Sequence, residues 1–131
     1  MKGMYLELQR NIIEAYGVTI NECSMCKGRM HAHVKSRTIC KWKPKNSVRA
    51  TFDLFHELGH IETYTTGLRR CESEYHATKF AIDLCRINGV IIPESIIELY
   101  QNYIYRELER GIRHHGKCLP DRSELKLKGW Y

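Results

Sequence analysis

Residues His56-Glu57-Leu58-Gly59-His60 put two imidazoles and a carboxylate into one short stretch, "DLFHELGHIETY" (53–64). Histidines four apart on a helix project from the same face, one turn apart, so both rings can reach a single ion. Zinc in a hydrolase takes three protein ligands and keeps one position open for a water, whose pKa it lowers towards about 7. Glu57 lies about 100° round the helix from His56. From there its carboxylate can lean over that water and take its proton as general base. The same five residues also fit an amphipathic helix with two incidental histidines, because so short a motif recurs by chance.

A two-histidine site needs a third donor from another element. "CESEYHATKFAIDLC" (71–85) offers Glu72, Glu74 and His76. If the stretch is helical, Ala77, Phe80, Ala81, Leu84 and Cys85 define its apolar stripe. Glu74 then falls about 50° from the centre of that stripe, His76 about 110° and Glu72 about 150°. Glu74 therefore points inwards. A buried carboxylate without a partner is costly, and a zinc ion would remove that cost. An ion pair with Arg69 or Arg70, or exposure in the first turn where the helix dipole favours a carboxylate, are the alternatives.

"HELGH" followed by "ESEYHATKFAIDL" resembles the ImmA/IrrE family of zinc metallopeptidases, which carry HELGH and then a helix reading roughly E-x-x-A-[DN]-x-[FW]-A. In this chain the second part is Glu74, Ala77, Thr78, Phe80 and Ala81. "NGVIIPES" (88–95) is similar to the family's proline-containing step after that helix, and "IIEAYGVTI" (12–20) to its opening helix and first strand. The resemblance covers most of residues 5–100. It implies a compact zincin-like domain with His56, His60 and Glu74 as zinc ligands and Glu57 as general base. It also implies an intracellular peptidase of a mobile element, phage or stress response, acting on a regulatory protein such as a DNA-binding repressor. Thr78 departs from the pattern, since Asp or Asn is usual there. A carboxylate or amide at that position can orient a ligand histidine from behind; a threonine hydroxyl can accept the same hydrogen bond but brings no charge. The departure leaves room for a second reading, a non-catalytic metal-binding regulator on the same fold that acts as an anti-repressor by contact.

The elements that must position these residues follow from pattern and punctuation. Residues 3–16 read as a helix stopped by Gly17. A short strand is expected at 18–23, and a hairpin at 29–34 and 37–42. The motif helix starts near Ser47 or Thr51 and runs to about Tyr64. Phe52, Phe55, Leu58 and Ile61 recur along it at three-residue steps, so one face can be buried. Gly59 costs about 1 kcal/mol relative to alanine inside a helix, which close approach of another backbone would explain. "TTGLRR" (65–70) is a loop, a second helix spans about 72–88, and a long helix opened by Pro93 runs to about 113. The tail, 116–131, has no clear assignment. The order is that of an α+β fold, a small antiparallel sheet packed on an active-site helix with further helices. At 131 residues the chain makes one domain.

Hydrophobic residues make up 43% of the chain, a globular composition, with no apolar run near the roughly 20 residues of a membrane span. "MKGMYLELQRN" carries charges where a signal peptide needs its apolar segment, so a cytoplasmic location without membrane association is expected. In that setting the six cysteines, at 23, 26, 40, 71, 85 and 118, read as reduced thiols or metal ligands. Cys23 and Cys26 form a single C-x-x-C, a weak signal for a second, structural zinc that Cys40, His31 or His33 could complete. His31 and His33 share one face of a strand, turned to solvent or to the substrate cleft. The net charge of +6 fits a solvated basic surface. No recognition motif supports direct nucleic-acid binding, so the partner expected is a protein substrate. Tyr64 and Tyr75 are candidates for stabilising an oxyanion.

Overall fold

The computed structural model describes residues 3–22 and 29–115. Seven elements follow in order: α1 (Met4–Tyr16), β1 (Thr19–Asn21), β2 (His31–His33), β3 (Thr38–Cys40), α2 (Val48–Glu62), α3 (Arg70–Ile87) and α4 (Glu94–His115). This is the α+β order expected. Residues 116–131, and with them Cys118, lie outside the described residues, as do Cys23 and Cys26.

Local chemistry sets the element ends. Gly17 adopts φ 64°, a left-handed turn that favours glycine, and its N–H donates to the Glu14 carbonyl, which ends α1. Ser47, one of the two predicted starts, caps α2: its hydroxyl accepts from the Ala50 N–H at 3.1 Å and satisfies a donor that the first turn leaves without a partner.

The sheet differs from expectation. It is mixed rather than antiparallel, in the order β1-β3-β2. β3 pairs antiparallel with β2, with His31 opposite Cys40, Ala32 opposite Ile39 and His33 opposite Thr38. It pairs in parallel with β1, where Ile20 faces Ile39. The hairpin itself is as predicted. The surprise is that β3 folds back between β2 and β1. Ile39 is the reason available in the sequence: a central strand covers it from both sides, and it is fully buried. β2, with two histidines, is left at the edge, where a strand carrying polar side chains is tolerated.

α2 and α3 form the centre of the molecule. Phe52, Phe55, Leu58 and Ile61 are buried as their spacing predicts, and Leu54 joins them. Ala77, Ala81, Leu84 and Cys85 meet them from α3, while Phe80 is only partly buried. A Cβ on Gly59 would lie 2.6 Å from the Ala77 carbonyl oxygen and 2.8 Å from its Cα. The glycine is thus explained by backbone approach, and the two helices are locked at the level of the motif. α4 closes the other side with Ile96, Ile97, Ile104 and Leu108.

One buried polar residue ties α1 to this frame. The Gln9 side chain is fully buried. Its amide donates to the Lys45 carbonyl at 2.8 Å and to the Thr51 hydroxyl at 3.0 Å, and its oxygen accepts from the Trp42 indole at 3.3 Å. A buried amide satisfied this fully is a specific lock rather than a cost. Among the described residues, no helix is long and apolar enough to cross a membrane.

Candidate metal centre

Helix α2 presents His56 and His60 on one face, their ring centroids 4.8 Å apart and nearly perpendicular. Helix α3 delivers Glu74 to the same point. Its Oε2 lies 3.1 Å from His56 Nε2 and 3.4 Å from His60 Nε2. A tetrahedral zinc with bonds of about 2.0–2.1 Å has its ligand atoms roughly 3.3 Å apart. Both nitrogen–oxygen distances thus match the spacing such an ion requires. The arginines that could have taken Glu74 are engaged elsewhere: Arg69 pairs with Glu72 at 3.8 Å and Arg70 with Glu107 at 3.3 Å. Glu57 belongs to the same cluster, its carboxylate within 4.8 Å of the His56 and His60 ring nitrogens. It accepts a hydrogen bond from the Ala32 N–H of β2. Two carboxylates thus reach the site: Glu74 in contact with both imidazoles, and Glu57 in the His56-Glu57-His60 group whose atoms could hold a metal ion.

Hydrogen bonds from behind fix both rings. Thr78, buried on α3, puts its hydroxyl 3.2 Å from His56 Nδ1. Ser73 does the same for His60 Nδ1 at 2.9 Å. A carboxylate only accepts, so a ring bonded to Glu74 through Nε2 carries its proton there, and its Nδ1 then accepts from the hydroxyl. When Nε2 gives its lone pair to a metal, the proton moves to Nδ1, and the hydroxyl accepts instead. A threonine serves both tautomers, which an aspartate cannot.

The charges interlock. Burial would raise the Glu74 carboxyl, but hydrogen bonds from His56 and His60 outweigh it and hold Glu74 well below the usual carboxylate range. Burial lowers His56 despite Glu74. Burial acts on His60 in the same sense, yet its bond to Glu74 and the charges of Glu74 and Glu57 leave its pKa raised. Burial pushes Glu57 up to about 7; the His60 charge opposes this, and Glu74 and Asp53 reinforce it.

His56, Glu57 and Glu74 line an open cleft of about 870 Å³. Its rim carries Arg29, Lys41, Lys43, Lys45, Arg49 and Arg106, and its wall includes Trp42, Leu99, Tyr100 and Tyr103. Tyr64 and Tyr75 do not line this cleft; among the described residues, the phenols that do are Tyr100 and Tyr103. Both are engaged: the Tyr100 hydroxyl donates to Asp53, and Tyr103 bonds to Arg70. His31 and His33 do not line the cleft either; they gather with Cys40 on the sheet. Asp53, Ser73, Tyr100 and the Ala32 amide are contributors the sequence reading passed over. Asp53 could have been found, since it sits three residues before His56 and so shares its face. Ser73 and Ala32 carry no spacing signal.

No family model, curated protein or solved structure matches the chain. Three donors converge from two locked helices, a fourth side is open to a cleft, and a carboxylate beside it is poised to exchange a proton near neutral pH. The expectation of reduced thiols is met at Cys40 and Cys85, both free and buried; Cys71, by contrast, is disulfide-bonded.

Proposed function

We propose that this chain is a zinc-dependent peptidase with a zincin-like active site, in keeping with its resemblance to the ImmA/IrrE family. The observation that carries the reading is the convergence of His56 Nε2 and His60 Nε2 on Glu74 Oε2, with Glu57 alongside. One thiol-free set of two imidazoles and a carboxylate, open on one side, is the donor set of a catalytic rather than a structural zinc. A bound zinc supplies Lewis acidity at the open face, towards a water and a substrate carbonyl.

The chain's own residues do the rest. Glu57 takes a proton from the attacking water and passes it to the departing amine. The Ala32 N–H holds the Glu57 carboxylate in place between those steps. Thr78 and Ser73 keep the two imidazoles aimed, and the open cleft gives a substrate access to them. The substrate is a protein, for which a DNA-binding repressor is the class suggested by the family resemblance.

Glu57→Gln separates metal binding from proton transfer. The zinc-loaded chain is incubated with a proteome-derived peptide mixture, and new termini are read by mass spectrometry. The variant should keep its zinc and lose a factor of about 10²–10⁴ in rate, the usual contribution of general acid–base catalysis. Cleavage at an unchanged rate would mean that Glu57 is not the base.

A further inference from the structure

A second cluster of metal-binding side chains sits on the sheet, outside the residues that line the cleft. His31 and His33 alternate along β2 and so lie on one face, with Ala32 on the other. Cys40 is paired with His31 across the β2–β3 ladder, and directly opposed residues share a face. The ligand atoms of His31, His33 and Cys40 all lie within 4.8 Å of one another, and the two rings meet edge to face at 4.9 Å. His31 Nδ1 is 3.0 Å from the Arg29 carbonyl oxygen. A carbonyl can only accept, so Nδ1 holds the proton and Nε2 is left with its lone pair. That is the arrangement in which proteins present a histidine to a metal. Cys40 is buried and in no disulfide.

We infer that His31, His33 and Cys40 form a second metal site, distinct from the cleft, that binds zinc through one thiolate and two imidazoles. Sulfur and nitrogen donors together select zinc over the hard cations that prefer oxygen. On binding, the Cys40 thiol releases its proton to solvent and its sulfur pair goes to the ion. The site joins the edge strand β2 to the central strand β3. Ala32, between the two histidines, donates from its backbone to Glu57. A metal held by His31, His33 and Cys40 therefore fixes the strand that holds the general base. The metal site itself does not rest on the peptidase reading; only this last consequence does.

The full chain without a histidine tag carries the test, with His56→Ala to disable the cleft site. Zinc titration should still give one equivalent. Cobalt(II) in place of zinc should give the near-ultraviolet thiolate-to-metal band that nitrogen and oxygen ligands cannot produce. Cys40→Ser on that background should remove both. Because Cys40 is buried, His33→Ala, at an exposed position, serves as a second variant, and should weaken binding at least tenfold while its circular dichroism is unchanged. A His56→Ala chain that binds no zinc, or a cobalt–sulfur band that survives Cys40→Ser, would overturn the inference. If the unaltered chain binds a single equivalent with the sulfur band, the cleft site fails and the sheet site stands.

Discussion

Two groups of histidines in this chain rest on different supports. His56 and His60 stand on a 15-residue helix pressed backbone to backbone against a second helix that brings Glu74. His31 and His33 stand on a three-residue edge strand. In the first, Gly59 lets the Ala77 backbone come so close that the spacing of the three donors is set by the frame. In the second, spacing depends on a ladder of three residue pairs, and a strand that short is weakly held on its own. The helix pair should be organised before any ion arrives, and the strand pair should gain order from one. Preorganisation comes here from close backbone packing rather than from the histidines, which both groups have.

The largest effect expected from breaking the helical group is at Glu74. Glu74→Gln removes the charge shared by both imidazoles and should lower zinc affinity of the cleft site by more than roughly a hundredfold, beyond what an outer hydrogen-bond partner is worth. Zinc titration against a competing chelator measures it. An affinity within tenfold of the parent chain would remove Glu74 from the ligand set. Thr78→Val comes next. It keeps the shape and deletes the hydroxyl behind His56, so affinity should fall by about 10–100-fold. Thr78→Asp sharpens the point: the carboxylate serves only the metal-bound tautomer, so zinc affinity should hold while the metal-free chain loses thermal stability.

Much of the cleft site was legible in the sequence because helical geometry is regular. The i, i+4 spacing of His56 and His60 and the angular position of Glu74 both follow from 3.6 residues per turn. Gly59 was legible for the same reason, as a residue whose cost in a helix had to be repaid by contact. The sheet was less so. Alternation locates strands and their faces, and it placed β2 and β3 within a residue or two. It says nothing about which strand lies in the middle, so the parallel pairing of β1 with β3 was missed. Tyrosines near the motif in sequence, Tyr64 and Tyr75, gave way to Tyr100 and Tyr103 from α4, because tertiary packing of a distant helix leaves no local mark. Gln9 escaped notice likewise, since its three partners lie more than thirty residues away.

Gly59→Ala tests the frame itself. Alanine would gain about 1 kcal/mol of helix propensity, yet its Cβ would meet backbone atoms of Ala77 that no rotamer change can move. Overpacking of that kind costs about 1–3 kcal/mol, occasionally more, so a net loss of stability is expected in urea unfolding. The displaced helix α3 should also carry Glu74 and Thr78 away from His56, so zinc affinity of the cleft site should fall with stability. The sheet site, on other elements, should keep its cobalt–sulfur band.

Ser47→Ala is the smallest change and the control that gives Gly59→Ala its meaning. Loss of the cap on α2 should cost about 1 kcal/mol, comparable to the lower end of the Gly59 effect, but at the far end of the helix from its contact with Ala77. If the donor spacing is set where Gly59 meets Ala77, stability should drop while zinc affinity at His56, His60 and Glu74 stays the same. Equal losses of affinity in the two variants would show that the site depends on the overall stability of α2 and not on that one close approach. The contrast between the helical and the strand-borne group would then be one of degree, since both would need the ion to complete them.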